Sequence, residues 1–327
     1  MSFDVVCLRP KDDFLNIGVT PPESLSIRYM SPTDSDLAQH LAAARALVIP
    51  AVGPKLPVEL FDGSRIELIQ VTGAGIDRLD ANAMKAKGIA IANVPGGSSA
   101  AIAEYAVSSA LTLLRRTFWA DGELRKGLYV DARRRMVSEN LAGLEGLTVG
   151  VVGLGVIGMT VAQTFHSLGS RIVYHDPAPR DADAVSQIDA VALPLNELLA
   201  KADIVTLHVP LLPSTESMLG ASELAQMKAG AILINAARGG IVDEAALVQC
   251  LASGHLGGAA VDVYSSEPPA ADNPLIAADN EVVGRRLLLT PHIAGVTRQA
   301  WANLFRSAWE NVERLLLRNE PPVNRVI

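Results

Sequence analysis

The sequence of 327 residues is poor in cysteine, in aromatic side chains and in positive charge. Cys7 and Cys250 are too few and too far apart for a disulfide framework or a zinc site, so we expect a reduced, cytoplasmic protein without a metal. A net charge of −7 offers no basic surface, so neither nucleic acid nor a membrane is an expected partner. No signal-peptide pattern opens the chain, and glycines interrupt its apolar stretches before they reach the ~20 residues of a membrane span.

Glycine and small aliphatic residues are plentiful, with 26 glycines against 4% aromatic residues. This composition favours a parallel sheet covered on both faces. Short β-branched runs alternate with longer helical patterns, which is typical of βαβ units. The alternation predicts an α/β chain with two doubly wound parallel sheets, whose strands we place at Asp4–Leu8, Ala46–Ile49, Glu67–Val71 and Ile89–Ala92, and then at Leu147–Val152, Arg171–His175, Ile204–His208, Ala231–Asn235, Ala259–Val263 and Leu287–Thr290.

Helical periodicity and capping residues predict the main helices. One begins at Ser98 or Ser99 and continues through Arg116. Further helices are expected at Met159–Leu168, Asp243–Ser253 and, last, Arg298–Arg318.

The segment VVGLGVIGMTVA places Gly153, Gly155 and Gly158 in a G-x-G-x-x-G pattern between a predicted strand and a predicted helix. The first glycine permits a tight turn, the second leaves room for a pyrophosphate, and the third allows close helix–strand packing. The next strand ends in Asp176, whose carboxylate can accept hydrogen bonds from the ribose hydroxyls of NAD and repels the extra phosphate of NADP. The pattern predicts a Rossmann-like NAD site, although Arg180 nearby leaves the exclusion of NADP open.

Three ionisable residues follow predicted strands of the second series: Arg238 in INAARGGIVDE, Glu267 in AAVDVYSSEP and His292 in LLLTPHIAG. Open α/β sheets bind ligands at the carboxyl ends of their strands, so these residues are candidates for catalysis. Each also has a purely structural interpretation: Arg238 as a surface-loop residue, Glu267 as a solvated turn residue and His292 as a capping or core residue. Trp301 is interpreted as a packing residue in preference to a substrate contact.

Through these motifs the chain resembles the D-isomer-specific 2-hydroxyacid dehydrogenase family, which includes phosphoglycerate dehydrogenase and glyoxylate/hydroxypyruvate reductase. The resemblance rests on VVGLGVIGMTVA, LHVPLLPSTESML, MKAGAILINAARGGIVDEAAL, AAVDVYSSEP and TPHIAG. In the N-terminal half, VTGAGIDRLD and NVPGGSSAAIAEYAV extend it over nearly the whole chain.

The resemblance implies a catalytic set for reducing a 2-oxo acid. Arg238 holds the substrate carboxylate and polarises the carbonyl. His292 is the acid in reduction and the base in oxidation. Glu267 bonds the other ring nitrogen, fixes the tautomer and favours the imidazolium.

The resemblance also implies how substrate and cofactor are held. The turn Gly73, Ala74 and Gly75 is expected to bind the substrate carboxylate through backbone N–H groups, and Asp262 the carboxamide of the nicotinamide. Further NAD contacts are implied for Val156, Ile157, Val209, Pro210, Ala236, Ala237 and Gly295.

For the domains, the resemblance and the spare final helix predict two Rossmann-like doubly wound domains with an active-site cleft between them. A discontinuous substrate-binding domain is expected at 1–100 and 292–327, and an NAD-binding domain at 101–291. Because homologues are typically dimers, we expect a homodimer, with 117–146 as the candidate interface arm.

The expected activity is the reversible, NADH-dependent reduction of a small 2-oxo acid to the (R)-2-hydroxy acid. Ser98 stands where the family often has asparagine. The loop IPAVGPK carries one basic residue, Lys55, which disfavours a phosphorylated substrate. Two alternatives remain: a phosphite dehydrogenase-like enzyme on the same frame, and an NAD(H)-sensing protein resembling the corepressors of this superfamily.

Overall fold

A computed structural model describes residues 3–139, 141–278 and 283–327 of the chain. The chain divides into two compact units. Unit 1 comprises Met1–Ser98 together with Val296–Ile327, and unit 2 comprises Ser99–Gly295. Unit 1 is therefore built from both ends of the chain, and His292 lies in unit 2.

The strands of the described residues are short and mostly buried on both faces. They are β1 Val5–Cys7, β2 Ile27–Tyr29, β3 Ala46–Ile49, β4 Leu68–Val71, β5 Ala90–Ala92, β6 Thr148–Val152, β7 Arg171–His175, β8 Val191–Ala192, β9 Ile204–Leu207, β10 Ile232–Asn235, β11 Gly258–Val261 and β12 Leu287–Leu289.

The helices alternate with these strands. They are α1 Lys11–Leu15, α2 Leu37–Leu41, α3 Ala81–Ala86, α4 Ser99–Arg115, α5 Thr117–Arg125, α6 Tyr129–Ser138, α7 Val156–Ser167, α8 Ala182–Ser186, α9 Leu195–Lys201, α10 Ala221–Gln226, α11 Glu244–Ala252 and α12 Arg298–Leu316, with a 3₁₀ turn at Val58–Phe61.

Unit 1 contains a parallel five-stranded sheet in the order β2-β1-β3-β4-β5. The returning helix α12 packs against its central strands through Phe305, Trp309 and Val312, all buried. A buried polar pair completes this contact, because Asn311 of α12 donates to the side-chain oxygen of Gln70 in β4 at 2.9 Å. The C-terminal helix is thus an integral part of the core of unit 1.

Unit 2 contains a parallel seven-stranded sheet in the order β12-β11-β10-β9-β6-β7-β8. The strand order reverses between β6 and β9, which lie side by side with Val149 opposite Ile204. In an open α/β sheet this switch point creates a crevice at the carboxyl ends of the two strands. The fold therefore places the loop after β6 and the start of α7, which together carry the three glycines, at the expected ligand-binding position.

The fold differs from the sequence-based prediction at short and irregular elements. The edge strands β2 and β8 have three and two residues and are not predicted, because half-exposed runs of this length carry no clear periodicity. Helix α7 begins at Val156, before the predicted start at Met159, and Gly158 therefore lies inside its first turn. The 117–146 segment contains two helices, α5 and α6, for which no helix is predicted.

Among the described residues, no helix is both long enough and apolar enough to cross a membrane.

Candidate active site

All the polar residues predicted for catalysis lie at the carboxyl edge of the seven-stranded sheet of unit 2. Arg238 follows β10, Glu267 follows β11 and His292 follows β12, while Asp176, the predicted ribose-binding residue, follows β7. Because every strand of this sheet runs parallel, these loops emerge on one edge, beside the glycine loop after β6. The topology alone therefore gathers residues that are far apart in the sequence.

Close packing leaves no room for a side chain at two of the three glycines of the motif, Gly153 and Gly158. A Cβ on Gly153 would lie 2.6 Å from the carbonyl oxygen of His208, and its φ of +89° is strained for any other residue. A Cβ on Gly158 would lie 1.9 Å from the carbonyl oxygen of Gly153. Both positions lock the loop against β9 and against α7, so a side chain at either would displace backbone.

The second glycine, in contrast, faces open space. A Cβ on Gly155 would have no atom of the described residues within 4 Å. Gly155 is the N-cap of α7, a helix of 12 residues whose first turn is Val156, 62% exposed, and Ile157, half-buried. Helix N-termini present unpaired N–H groups and the positive end of the helix dipole. The glycine loop and the N-terminus of α7 together form a cradle that fits a pyrophosphate.

Asp176 is held at the end of β7 by three donors. Its carboxylate accepts hydrogen bonds from the backbone N–H of Leu154 at 2.7 Å and of Ala178 at 2.9 Å, and from the Arg180 guanidinium at 2.5 Å. Burial raises the pKa of Asp176, but these hydrogen bonds and the Arg180 charge outweigh it and hold the pKa below its ordinary value. The predicted ribose-binding carboxylate is thus tied to the glycine loop and shared with an arginine.

His292 and Glu267 form the predicted pair. The Nδ1 atom of His292 lies 2.7 Å from Oε2 of Glu267, and the two side chains are 26% and 25% exposed. The other carboxylate oxygen accepts the backbone N–H of Tyr264 at 3.1 Å. With Nδ1 engaged by the carboxylate, Nε2 is the ring nitrogen left for a ligand.

The charge environment of Glu267 keeps it ionised. Burial raises its pKa, but the His292 hydrogen bond and charge, the Tyr264 N–H and the Arg238 charge together lower the pKa below the ordinary 4.5. Arg238 therefore lies close enough to act on the pair electrostatically.

Arg238 is positioned by the turn after β10. The side-chain amide of Asn235 donates to the backbone oxygen of Arg238 at 3.1 Å, and its oxygen accepts the N–H of Ala237 at 3.2 Å. The next residue, Gly239, lies so close to the loop after β11 that a Cβ there would be 1.8 Å from the Tyr264 carbonyl oxygen. This close approach brings the Arg238 turn against the segment that leads to Glu267.

Asp262 is fully buried, and both of its carboxylate oxygens bond the chain. Oδ1 accepts the backbone N–H of Ile293 at 2.8 Å and the Thr290 hydroxyl at 2.5 Å. Oδ2 accepts the N–H of Ala294 at 2.8 Å. Asp262 therefore organises the loop around His292, whose φ of +55° is left-handed. The sequence motifs and their spacing do not predict this set of hydrogen bonds around Asp262.

The other predicted cofactor contacts lie on the same edge. Val209 packs beside Gly153, where a Cβ would be 2.8 Å from its Cγ1 atom. Of the rest, Ala237 is buried, Ala236 and Gly295 are half-buried, and Pro210 is exposed. Within the described chain, no group of three or more His, Cys, Asp or Glu residues is arranged to hold a metal ion.

In unit 1, the predicted carboxylate-binding turn follows β4. Gly73 packs tightly against the loop after β3, because a Cβ there would be 2.6 Å from the Cβ of Ala51. The turn is further fixed by Asn93, whose amide donates to the oxygen of Ala74 at 2.6 Å. Among the described residues, no acceptor pairs with the backbone N–H groups of Ala74 and Gly75, so both remain available to a carboxylate.

Sequence reasoning misses one organising residue of unit 1, Arg78. Its buried guanidinium donates to the carbonyl oxygens of Pro54 and Pro50, each at 2.9 Å, and so clamps the loop after β3. No sequence pattern marks this arginine.

Trp301, interpreted from the sequence as a packing residue, does pack against neighbouring side chains, and His208 is also held by contacts within the fold. The ring of Trp301 lies 5.6 Å from that of Phe305 and under the Arg9 guanidinium at 5.0 Å. Burial lowers the pKa of His208 to about 4, and its ring bonds the Thr206 hydroxyl. His208 is therefore neutral at physiological pH.

The comparisons with known proteins agree with this geometry. The family model "D-isomer specific 2-hydroxyacid dehydrogenase, NAD binding domain" matches residues 107–294. The fold and the glycine cradle thus define an NAD-binding dehydrogenase domain in unit 2. The chain belongs to the D-isomer specific 2-hydroxyacid dehydrogenase family.

Individual relatives support this assignment. The chain is 37% identical over 270 residues to D-3-phosphoglycerate dehydrogenase of Archaeoglobus fulgidus. This match covers 82% of this chain but only 49% of the relative. It is 33% identical to glycerate dehydrogenase of Methylorubrum extorquens, over 86% of this chain and 85% of the relative. The crystal structure of the TT0316 protein from Thermus thermophilus covers 99% of both chains at 31% identity, with a TM-score of 0.79. The chain thus spans about half the length of the phosphoglycerate dehydrogenases that it matches.

Proposed function

We propose that this protein catalyses the reversible, NADH-dependent reduction of a small, non-phosphorylated 2-oxo acid to the (R)-2-hydroxy acid. The observation that carries the proposal is the His292–Glu267 hydrogen bond of 2.7 Å, within the field of Arg238, on the sheet edge that holds the dinucleotide cradle. An acid–base pair, a cation and a cofactor cradle are the groups that this reaction needs.

Each side chain has one role in the proposed reaction. Bound NADH supplies the hydride, which is added to C2 of the substrate. Arg238 binds the substrate carboxylate and polarises the C2 carbonyl, for which a planar guanidinium is better suited than a point charge. His292 donates the Nε2 proton to the carbonyl oxygen as the alkoxide forms, and Glu267 stabilises the imidazolium that precedes this step. In the oxidative direction the neutral imidazole takes the proton back.

We propose that Asp176 favours NAD as the cofactor, because a carboxylate can accept the ribose hydroxyls and repels a 2′-phosphate. The hydrogen bond from the Leu154 N–H, which holds Asp176 beside the glycine loop, supports this role. The Arg180 side chain bonded to the same carboxylate weakens that repulsion. We therefore propose a preference for NAD over NADP and not an absolute exclusion.

In unit 1, the free N–H groups of the Gly73–Ala74–Gly75 turn fit a carboxylate, which supports the role proposed for them. The loop that Arg78 clamps exposes an apolar side chain, Val52, at 45%. These two features support a small anionic acid with an uncharged substituent as the substrate.

The decisive experiment measures NADH oxidation with a panel of 2-oxo acids that includes glyoxylate, hydroxypyruvate and pyruvate. We expect turnover with at least one acid and a fall in kcat of about 10³-fold or more in the His292→Ala variant. The matched control is His166→Ala, which removes a half-buried histidine on α7. A His292→Ala variant that retains near-normal turnover would contradict the proposal.

Two further measurements, run beside this assay, separate the two alternatives. A phosphite dehydrogenase-like enzyme would reduce NAD with phosphite and leave the 2-oxo acids unchanged. A sensor of the corepressor type would bind NADH, as followed by quenching of protein fluorescence, without turnover of any acid.

We further propose that the protein forms a homodimer through the arm of α5 and α6. Apolar side chains of this arm are exposed, with Tyr129 at 60%, Val130 at 64% and Val137 at 68%. Together with Arg115, residues of the 117–146 arm, Tyr129 and Val137 among them, line a surface groove of about 520 Å³. Exposed apolar side chains beside a groove favour a protein–protein contact, and a second copy of the same arm would offer the same side chains to it.

Light scattering coupled to size-exclusion chromatography tests this arrangement. We expect twice the monomer mass for the wild type and a shift to monomer for Val137→Asp. Val191→Asp is the matched control, because Val191 is 55% exposed in β8 and outside the arm. A wild-type monomer would overturn the dimer. The cytoplasmic location and the absence of nucleic-acid or membrane partners remain predictions from composition and charge.

A further inference from the structure

A chain of side-chain hydrogen bonds connects helix α4 to the loop of His292. The Tyr105 hydroxyl lies 2.8 Å from the hydroxyl of Thr290, and the Thr290 hydroxyl lies 2.5 Å from Oδ1 of Asp262. Tyr105 is a half-buried residue of α4, and Thr290 directly follows β12. None of the roles assigned above to substrate, cofactor or proton transfer uses Tyr105 or Thr290.

The direction of these bonds follows from the chemistry of the groups. A carboxylate only accepts hydrogen bonds, so the single proton of the Thr290 hydroxyl points to Asp262. Thr290 must then accept the proton of Tyr105. Burial raises the pKa of Tyr105, which keeps this phenol protonated as a donor. The network thus has one arrangement in which every member is satisfied.

Asp262 connects this hydrogen-bond network to the backbone that carries His292. Its carboxylate accepts the N–H groups of Ile293 and Ala294, and its backbone oxygen accepts the N–H of His292, each at 2.8 Å. Oδ1 is shared between Thr290 and the Ile293 N–H. Loss of the Thr290 hydroxyl would therefore free the carboxylate to rotate away from that amide.

A second tyrosine fixes the same threonine from the backbone side. The Tyr264 hydroxyl donates to the carbonyl oxygen of Thr290 at 2.9 Å, while the Tyr264 N–H donates to Glu267 at 3.1 Å. Thr290 is consequently the point where the segments carrying His292 and Glu267 are joined.

We propose that Thr290, held by Tyr105, is a positioning residue for His292 and acts through Asp262. This inference rests on the proposed function, because it explains how the acid–base histidine keeps its geometry. The hydroxyl of Thr290 orients the Asp262 carboxylate, which keeps the left-handed backbone at His292 and directs Nδ1 towards Glu267.

The test compares Thr290→Val, which keeps the shape and removes the hydroxyl, with Thr290→Ser, which keeps the hydroxyl. With NADH and the best 2-oxo acid, we expect kcat to fall about tenfold in Thr290→Val, and the KM for the 2-oxo acid to stay within about twofold. Thr290→Ser should restore kcat to within about threefold of the wild type. The matched control is Thr164→Val, which removes a part-buried hydroxyl that bonds only its own helix.

Tyr105 supplies an independent variant. Tyr105→Phe should lower kcat about threefold, and the double variant with Thr290→Val should be no slower than Thr290→Val alone, because Tyr105 acts through the threonine. Additive losses would overturn the relay, as would a Thr290→Ser variant that is as slow as Thr290→Val.

Hydrogen exchange provides a readout that does not depend on turnover. The amides of Ile293 and Ala294 should exchange at least about fivefold faster in Thr290→Val than in the wild type, with no change in Thr164→Val. Unchanged exchange would overturn the inference. A wild-type protein that reduces no 2-oxo acid would refute the proposed function instead, while the exchange rates would still decide whether Thr290 orders the loop.

Discussion

Replacing Glu267 by glutamine tests the charge of the acid–base pair without changing its shape. The variant keeps a hydrogen-bond partner for Nδ1 of His292 but removes the negative charge 2.7 Å away. A hydrogen bond to a charged group contributes roughly 1.5–3 kcal/mol. Because both side chains are about one quarter exposed, solvent screening places the pair in the lower part of that range, at about 1.5–2 kcal/mol.

This magnitude translates into a measurable rate. At about 1.4 kcal/mol per factor of ten, the Glu267→Gln variant should reduce a 2-oxo acid about 10- to 30-fold more slowly.

Initial rates of NADH oxidation between pH 5 and pH 9 measure this loss of rate. The KM for NADH serves as the internal control and should stay within about twofold, because Glu267 lies outside the dinucleotide cradle. A kcat within twofold of the wild type at every pH would refute the account of the pair.

Three further predictions concern the cradle, the ribose site and stability. Gly158→Ala should lower the free energy of unfolding by about 1–3 kcal/mol or more, measured by urea denaturation, because its Cβ would meet backbone at 1.9 Å. Gly155→Ala, with open space at its Cβ, should fold normally and weaken NADH binding by calorimetry; equal stability of the two variants would contradict the packing argument. Asp176→Ser should raise the KM for NADH about tenfold and improve the use of NADPH as Arg180 is released; an unchanged cofactor preference would remove Asp176 from the ribose site. Because the folded-state pKa of Glu267 lies below the ordinary 4.5, its hydrogen bond with His292 stabilises the fold fully above pH 4.5 and loses this effect as the pH falls through the folded-state pKa. The free energies of unfolding of the wild type and of Glu267→Gln should therefore converge in acid. A difference that persists in acid would contradict the lowered pKa.

Long, regular elements were predictable from the sequence. The strand Arg171–His175 has the predicted bounds, because a continuous run of β-branched and aromatic residues, Ile172–Tyr174, lies between polar flanks. The start of α7 was not predictable to the residue, because Gly158 has no side chain to contribute to the apolar periodicity and a steric demand from Gly153 fixes its place inside the helix.

In the candidate site, too, some residues could be predicted from the sequence and others could not. Arg238, Glu267 and His292 carry functional groups that point to a reaction, so their strand-end positions could be inferred from the sequence. Thr290 and Tyr105 are 185 positions apart and carry ordinary hydroxyls. Only the fold, in which β12 lies beside β11 and α4 packs against β10 and β11, shows that they meet.

The central claim is that His292 completes a hydride transfer by protonating the substrate carbonyl. Reduction of a 2-oxo acid with NADH that carries deuterium at C4 tests it most directly. The account predicts deuterium at C2 of the (R)-2-hydroxy acid alone, at a rate that falls about 10³-fold in His292→Ala but not in His166→Ala. Binding of NADH without deuterium transfer to any 2-oxo acid, or equal transfer by wild type and His292→Ala, would contradict it.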